Sequence, residues 1–271
     1  MHAPNQISLA AKASGEPEFR EIGLGPWSET HPGEPRPDDP TSSNYDGRFD
    51  SVLLNDGDRR NVLDRYRYWT VAAIKADLDA RGRHDFEVAV ENWTHDFNIG
   101  SMVRTANAFQ AKRVHIVGPH KWNRKGALMT ELYQHVEHHP SIAGEIAYER
   151  AKAGAAAIHA HDVAVDGDNK HLHELLAEID ACDARIKELQ AARVIALDII
   201  PGAVPMEAYA FPKRCLLLFG AEGPGLSEKA LALADDVVYI SQFGSVRSIN
   251  AGAAAAVAMH AWIAQHAVSG V

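Results

Sequence analysis

Cysteine is scarce in this chain. Cys182 and Cys215 are the only two among 271 residues, and they offer no paired spacing. A disulfide framework and a cysteine-based zinc cluster are both excluded, and a reducing compartment fits. Long apolar runs are missing too. The longest, over 251–264, is alanine-rich and falls short of the about 20 residues that span a bilayer. Met1-His-Ala-Pro4 shows no basic stretch followed by an apolar one, so no secretion leader is expected. A soluble, cytoplasmic protein without a membrane segment is the expectation. A basic excess is also absent. Asp and Glu number 36 against 27 Lys and Arg, for a net charge of −9, which excludes a protein that coats polyanions indiscriminately. Histidine, by contrast, is plentiful at fifteen. Neither His135, His138 and His139, nor His159 with His161, nor His171 with His173 comes with a cysteine or an H-E-x-x-H pattern. No metal is expected from such spacing.

Seven of the thirteen prolines fall before residue 41. With glycine and acidic residues also frequent there, residues 1–58 read as an extended arm without regular structure, anchored at Leu24-Gly-Pro-Trp27. Residues 59–84 read as a basic amphipathic helix. Val62, Leu63, Tyr66, Trp69, Ala73, Ile74 and Leu78 recur at helical spacing. Arg59, Arg60, Arg65, Arg67, Lys75, Arg81 and Arg83 stand there against three aspartates. From residue 85 to the end, strands and helices alternate. Strands are expected at 86–90, 113–117, 161–165, 194–197, 215–219 and 237–240. Helices are expected at 98–111, 143–160, 171–192, 227–233 and 249–266. Such alternation implies an α/β fold, a parallel sheet with helices on both faces.

Three blocks within that region carry candidate chemistry. The first is Glu91-Asn-Trp-Thr-His-Asp-Phe-Asn-Ile-Gly-Ser-Met-Val-Arg104. Ile99, Met102, Val103, Ala106 and Phe109 form its core-facing stripe. Asn98 stands where a helix N-cap belongs and Arg104 falls on roughly the opposite face, so a capping Asn and a solvated Arg account for both. The second is Phe219-Gly-Ala-Glu-Gly-Pro-Gly-Leu226, between a strand and a helix, where open α/β sheets bind ligands. Its glycines follow neither the dinucleotide order nor that of a phosphate loop, which argues against a nucleotide-dependent enzyme on an ordinary doubly wound sheet. Glu222 adds nothing to turn formation. The third block, Ile240-Ser-Gln-Phe-Gly-Ser-Val-Arg-Ser-Ile-Asn250, leads into a helix whose first turns are nearly all alanine and glycine. Ser248 can serve as its N-cap, and the small residues permit close approach of another element.

In this order the three blocks resemble the SpoU (TrmH-like) branch of the SPOUT superfamily, whose members move a methyl group from S-adenosylmethionine to an RNA ribose 2′-hydroxyl. The match runs from about Phe86 to the end. It implies a C-terminal trefoil knot, a homodimer with active sites where two knotted domains meet, and S-adenosylmethionine bound in the knot. By motif alignment Leu218, Phe219, Gly220, Ile240, Gln242 and Ile249 hold the cofactor. Asn98, Arg104, Glu222, Ser248 and Asn250 take the catalytic positions. Arg104 acts either as a base assisted by an RNA phosphate or as a cation that steers the phosphate and stabilises the developing alkoxide. A free guanidinium, with a pKa above about 12, favours the second role.

Three departures from the family pattern stand out. Ser241-Gln242 replaces its usual Pro-Met, Arg247 precedes Ser248, and 165–192 reads as an inserted helix. Arg65 and Arg67 on the basic helix, the loop residues Lys121, Trp122 and Arg124, and Arg247 are the candidate RNA contacts. The substrate class is tRNA or rRNA. The alternative from another class is a catalytically silent SPOUT-fold RNA-binding protein.

Overall fold

The apolar runs of the sequence become the strands of one parallel sheet, and the segment before them forms a unit of its own. The structure is a computed structural model that describes residues 5–16, 22–94, 97–142, 144–167 and 169–267. Met1–Pro4 and the His95-Asp96 pair of the first block lie outside the described residues, as does Ala143. The chain divides into two units, residues 1–74 and 75–271.

The first unit corrects the expectation of an arm without regular structure. Among its described residues it carries three short helices, α1 (Gln6–Ala13), α2 (Trp27–Thr30) and α3 (Ser51–Asp56). Local capping explains two of them. The Asn5 side chain accepts from the Ser8 amide at 2.8 Å, and Asp50 accepts from Val52 at 2.9 Å, satisfying amides that a helix start leaves without partners. Trp27, the expected anchor, is buried with Leu54 and Tyr68 against Phe49 and Leu53.

The helix expected from residue 59 begins only at Val71 and forms α4 (Val71–Ala80), after a single 3-10 turn over Asp64–Tyr66. The reason is Asp58, which is fully buried and pairs with Arg60 at 2.7 Å. Its carboxylate also accepts the Tyr68 amide at 2.9 Å, and Tyr68 sits at φ 62°. A non-helical partner for a backbone amide overrides helical periodicity.

The second unit holds β1 (Phe86–Glu91), α5 (Ile99–Ala108), β2 (Val114–Val117), β3 (Val136–His139), α6 (Gly144–Asp166), α7 (Asn169–Ala191), β4 (Arg193–Leu197), β5 (Val204–Pro205), β6 (Cys215–Phe219), α8 (Glu228–Leu233), β7 (Asp236–Tyr239) and α9 (Ala251–His266). The strands form a seven-stranded sheet in the order β3-β2-β1-β6-β4-β7-β5, every neighbouring pair parallel. Side chains alternate between its faces. Val88, Val90, Ile195 and Leu217 pack on one face with Ile99, Met102 and Val103 of α5 and with Ala255, Met259 and Trp262 of α9. Ala89, Ala196, Leu216 and Leu218 pack on the other with Leu226 and with Ala230 of α8.

The strand expected at 161–165 is instead the last turns of α6. Ala156, Ala160 and Val163 lie on one helical stripe and pack against Leu172, Leu175 and Ile179 of α7, so a 3.6-residue period wins over a short β-branched run. The inserted helix expected at 165–192 is thus the second half of a two-helix hairpin. β3 and β5 escape the sequence reading because one reads Val-Glu-His-His and the other has two residues. No helix among the described residues is long and apolar enough to cross a membrane.

Candidate functional site

Parallel strands direct their carboxyl ends to one edge, and there β4, β6 and β7 open onto a cavity of about 450 Å³. The loop after β6 shapes one wall. Gly225 donates to the Ala221 carbonyl at 3.0 Å, folding the turn back so tightly that a Cβ on Gly220 would lie 2.1 Å from the Gly225 carbonyl carbon. Only glycine fits there. The far end of the turn is pinned by Glu91, the buried last residue of β1. Its carboxylate accepts from the Ser227 amide and hydroxyl, both at 2.7 Å, and from the Trp93 indole at 2.9 Å. Ser227 in turn caps α8. Leu197, Ile199, Phe219, Val238, Ile240 and Ile249 give the cavity apolar lining, and Asp198, Glu222, Gln242, Arg247 and Ser248 give it polar groups.

At the rim stands a hydrogen-bonded cluster drawn from all three sequence blocks. The Asn98 side-chain amide donates to Glu222 Oε2. The Asn250 amide donates to Asn98 Oδ1 at 2.9 Å and to the same Glu222 oxygen at 3.2 Å. The Ala251 backbone N–H, in the first turn of α9, adds a contact to that oxygen at 3.3 Å. Glu222 therefore sits at the positive end of the α9 dipole, where a carboxylate is favoured. Asn250, not Ser248, is the N-cap of α9, accepting from Ala253 at 3.2 Å. Asn98 makes no side-chain cap at α5. The plain structural account of Asn98 as a capping residue is thereby excluded: its side chain is spent on Glu222 and Asn250. Gly252 lets α9 approach α5, because a Cβ there would meet Ser101 Oγ at 2.6 Å.

The other sequence candidates divide. Phe219, Gly220, Ile240, Gln242 and Ile249 line the cavity and Leu218 does not. Leu218 is fully buried on the sheet face beside Ala89 and Ala196, since alternation turns its side chain away from the cavity. Arg104 is exposed and makes no hydrogen bond or ion pair among the described residues, so the structure does not join it to the Asn98–Glu222–Asn250 cluster. Ser248 and Arg247 are exposed and line the cavity.

Lys121 and Arg124 are exposed. Trp122 is half-buried against the core, with the Arg124 guanidinium 5.9 Å above its ring. Arg65 and Arg67 belong to the first unit. Arg65 is exposed over the Tyr66 ring at 4.9 Å, whereas Arg67 turns inward and donates to the Arg60 carbonyl at 2.7 Å. The sequence reading missed Asp198, whose carboxylate takes the Ile199 amide at 2.7 Å and faces the Gly225–Leu226 turn. Its position at the carboxyl end of a strand beside β6 is the signal that was available.

Residues 150–260 match the family model described as the SpoU rRNA Methylase family. The tRNA (guanosine(18)-2′-O)-methyltransferase of Escherichia coli (strain K12) is 22% identical over 184 residues, which covers 68% of this chain and 65% of that protein. The chain thus spans just under two thirds of that relative's length. The protein of the same name from Thermus thermophilus is 51% identical over 47 residues, covering 17% of this chain and 24% of that one. The solved structure of the A. aeolicus TrmH/SpoU tRNA modifying enzyme superposes with a TM-score of 0.50 at 14% identity, covering 72% of this chain and 81% of that chain. At that identity the superposition speaks for a common fold.

Proposed function

We propose that the chain is a member of the SpoU methylase family, whose model matches residues 150–260, and that it methylates a ribose 2′-hydroxyl of structured RNA, tRNA or rRNA, with S-adenosylmethionine as methyl donor. The observation that carries this reading is the cluster of Asn98, Glu222 and Asn250 at the rim of the cavity after β6. A cavity of about 450 Å³ falls within the roughly 300–1,000 Å³ of small-molecule sites. Its apolar lining from Leu197, Val238, Ile240 and Ile249 suits an adenine ring. Backbone groups of the 219–225 turn and the Asp198 carboxylate suit the polar ends of the cofactor. When bound, the cofactor supplies an electrophilic methyl group on sulfur.

The residues of the chain do the rest. Glu222 fixes the amides of Asn98 and Asn250, and these hold the ribose so that its hydroxyl faces the methyl. Arg104 stays cationic, engages an RNA phosphate and stabilises the alkoxide as it forms. Ser248 orients the same ribose from the cavity wall. Arg247, Lys121 and Arg124 supply local positive charge on a chain of net −9.

Family-level features complete the proposal. The chain is read as carrying the trefoil knot, which is supported by the run 240–251 returning from β7 to Glu222. It is read as a homodimer, supported by Phe243, Val246, Ile249 and Val257, all exposed apolar residues on the third block and α9. A cytoplasmic location fits two buried free cysteines.

The test is transfer of labelled methyl to RNA from cells that lack this modification. The expected product is an alkali-stable 2′-O-methyl dinucleotide, reduced at least about 100-fold by Arg104→Ala with cofactor affinity retained in calorimetry. Cofactor and RNA binding without label, whatever the RNA, would instead establish the catalytically silent RNA-binding protein.

A further inference from the structure

Away from that cavity, the sheet face that carries Ala89 and Leu218 holds a buried polar cluster at its β3 edge. Glu87 of β1, His115 of β2, His139 of β3 and Arg185 of α7 are all more than nine-tenths buried, and Glu137 of β3 is about one-third exposed. Burying this many polar groups demands that each be answered. Arg185 forks onto Glu87 with two bonds of 2.9 Å. Glu87 Oε2 lies 2.6 Å from His115 Nε2, so a proton placed on that nitrogen leaves the lone pair of Nδ1 for a ligand. His115 Nδ1 is 3.1 Å from His139 Nε2 and 3.7 Å from Glu137 Oε2. His139 Nε2 is 3.6 Å from the same Glu137 oxygen. The other Glu137 oxygen is held by Arg113 Nε at 3.0 Å.

We propose that His115 Nδ1, His139 Nε2 and Glu137 Oε2 form a divalent transition-metal site, with zinc as the fitting ion. A triangle with sides of 3.1, 3.6 and 3.7 Å has one point about 2.0 Å from every corner, the distance at which zinc binds imidazole nitrogen and carboxylate oxygen. An ion raised about 0.6 Å from that plane keeps bonds of about 2.1 Å and leaves a fourth, tetrahedral position for water. The outer partners match as well. Glu87 on the far nitrogen of His115 makes a carboxylate–histidine–metal arrangement, and Arg113 fixes the ligating rotamer of Glu137. The donors are imidazole and carboxylate, which suit zinc and cobalt better than calcium or magnesium.

Spacing along the chain hides this set. The grouping of His135, His138 and His139 that the sequence suggests is not the one the fold assembles. Parallel pairing puts Glu137 beside His115 and His139 beside Val117. An ion there ties β2 to β3, and through His115, Glu87 and Arg185 it braces the α6–α7 hairpin against the sheet. It lies apart from the Asn98–Glu222–Asn250 cluster, so its role is structural.

The experiment uses the full chain, freed of any purification tag and stripped with a chelator, titrated with zinc against a chromophoric chelator and with cobalt for its visible spectrum. One equivalent per chain, cobalt absorption of four-coordinate intensity and a melting temperature that rises with zinc are expected. His139→Gln and the more exposed Glu137→Gln should each weaken binding at least about 100-fold, and Arg185→Met about 10-fold. Circular dichroism of Glu137→Gln verifies that its fold is kept. His159→Gln/His161→Gln, on the exposed hairpin, should bind as the parent does. Absence of stoichiometric binding overturns the proposal. So does a single site whose affinity is unchanged in both Glu137→Gln and His139→Gln, because the ion would then sit on other histidines.

Discussion

Gly252→Ala tests how closely α9 must approach α5 for the Asn98–Glu222–Asn250 cluster to form. The new Cβ would lie 2.6 Å from Ser101 Oγ, 3.2 Å from Asn250 Oδ1 and 3.4 Å from Asn98 Oδ1. The first distance is impossible, and the other two are tight. The Ser101 hydroxyl has to leave its bond to the Asn98 carbonyl, 2.7 Å long, at a net cost of about 1 kcal/mol. Residual crowding between packed helices adds about 1–3 kcal/mol. Alanine returns up to about 1 kcal/mol through helix propensity, less in a first turn. Gly252→Ala should therefore destabilise by about 1–3 kcal/mol.

Ser101→Ala alone loses the hydrogen bond and should cost about 1 kcal/mol. In Gly252→Ala/Ser101→Ala the worst contact is gone, so the double variant should be no less stable than Ser101→Ala. The coupling is then about 1–3 kcal/mol in the restoring direction, read from urea unfolding with unchanged m-values. Methyl transfer should stay low in the double variant, because the two Asn oxygens still meet the new methyl group. Additivity of the single variants within about 0.5 kcal/mol would refute the close approach, and with it the geometry of the site.

Other outcomes follow from the same structure. Glu222→Gln keeps the shape but loses the charge that holds Asn98, Asn250 and the Ala251 amide. Stability should change by less than about 0.5 kcal/mol at this exposed position, while methyl transfer falls about 100-fold in single-turnover assays. Arg65→Glu should lower the salt slope of RNA binding by about 1, with cofactor affinity unchanged by calorimetry. Asp58 is disfavoured as an anion by burial, yet hydrogen bonds from Arg60 and from the Arg60 and Tyr68 amides hold its carboxyl below the usual aspartate value. Its contribution is therefore present above about pH 4 and lost as pH falls through the depressed value. Asp58→Asn should cost about 3 kcal/mol at pH 7 and flatten the acid limb of stability measured by urea unfolding. Burial pushes the Cys215 thiol up to about 12, and Cys182 is buried as well. Neither should react with a disulfide reagent in the native protein, and both should react in guanidinium.

Much of the second unit was legible because its signals are local. Val88, Val90, Leu217 and Ile195 announce buried strands, and the Ile99–Met102–Val103–Ala106 stripe announces a helix under the sheet. The candidate site was legible through its three blocks, which do meet at Glu222. Alternatives stay open in the sequence where a longer-range partner decides the conformation. Asn98 has the sequence of a cap and the geometry of a network member. Ser248 sits two residues before the true cap. Leu218 is adjacent to cavity-lining Phe219 but on the opposite face. The helix expected from residue 59 fails because Asp58 captures the Tyr68 amide, a contact no periodicity encodes.

The β2–β3 edge shows why some chemistry stays invisible until register is known. Glu87 and His115 stand in strands that the hydrophobic pattern does reveal, but Glu137 and His139 stand in β3, whose Val-Glu-His-His sequence hides it from that pattern. Strand side chains alternate, so a slip of one residue between β2 and β3 would send Glu137 and His139 to the opposite face. There they would meet Val114 and Ile116 and the α5 side of the core, with no Glu87 or Arg185 to answer them. The observed pairing of His115 with Glu137 is the register that gathers every polar group of this edge on one side, under Arg185. Register and cluster specify one another. Replacing His115 and Glu137 together by a well-packed apolar pair should preserve the sheet while abolishing zinc binding, whereas His115→Ala alone, which leaves Glu87 and Arg185 buried around a void, should destabilise the hairpin and the edge together.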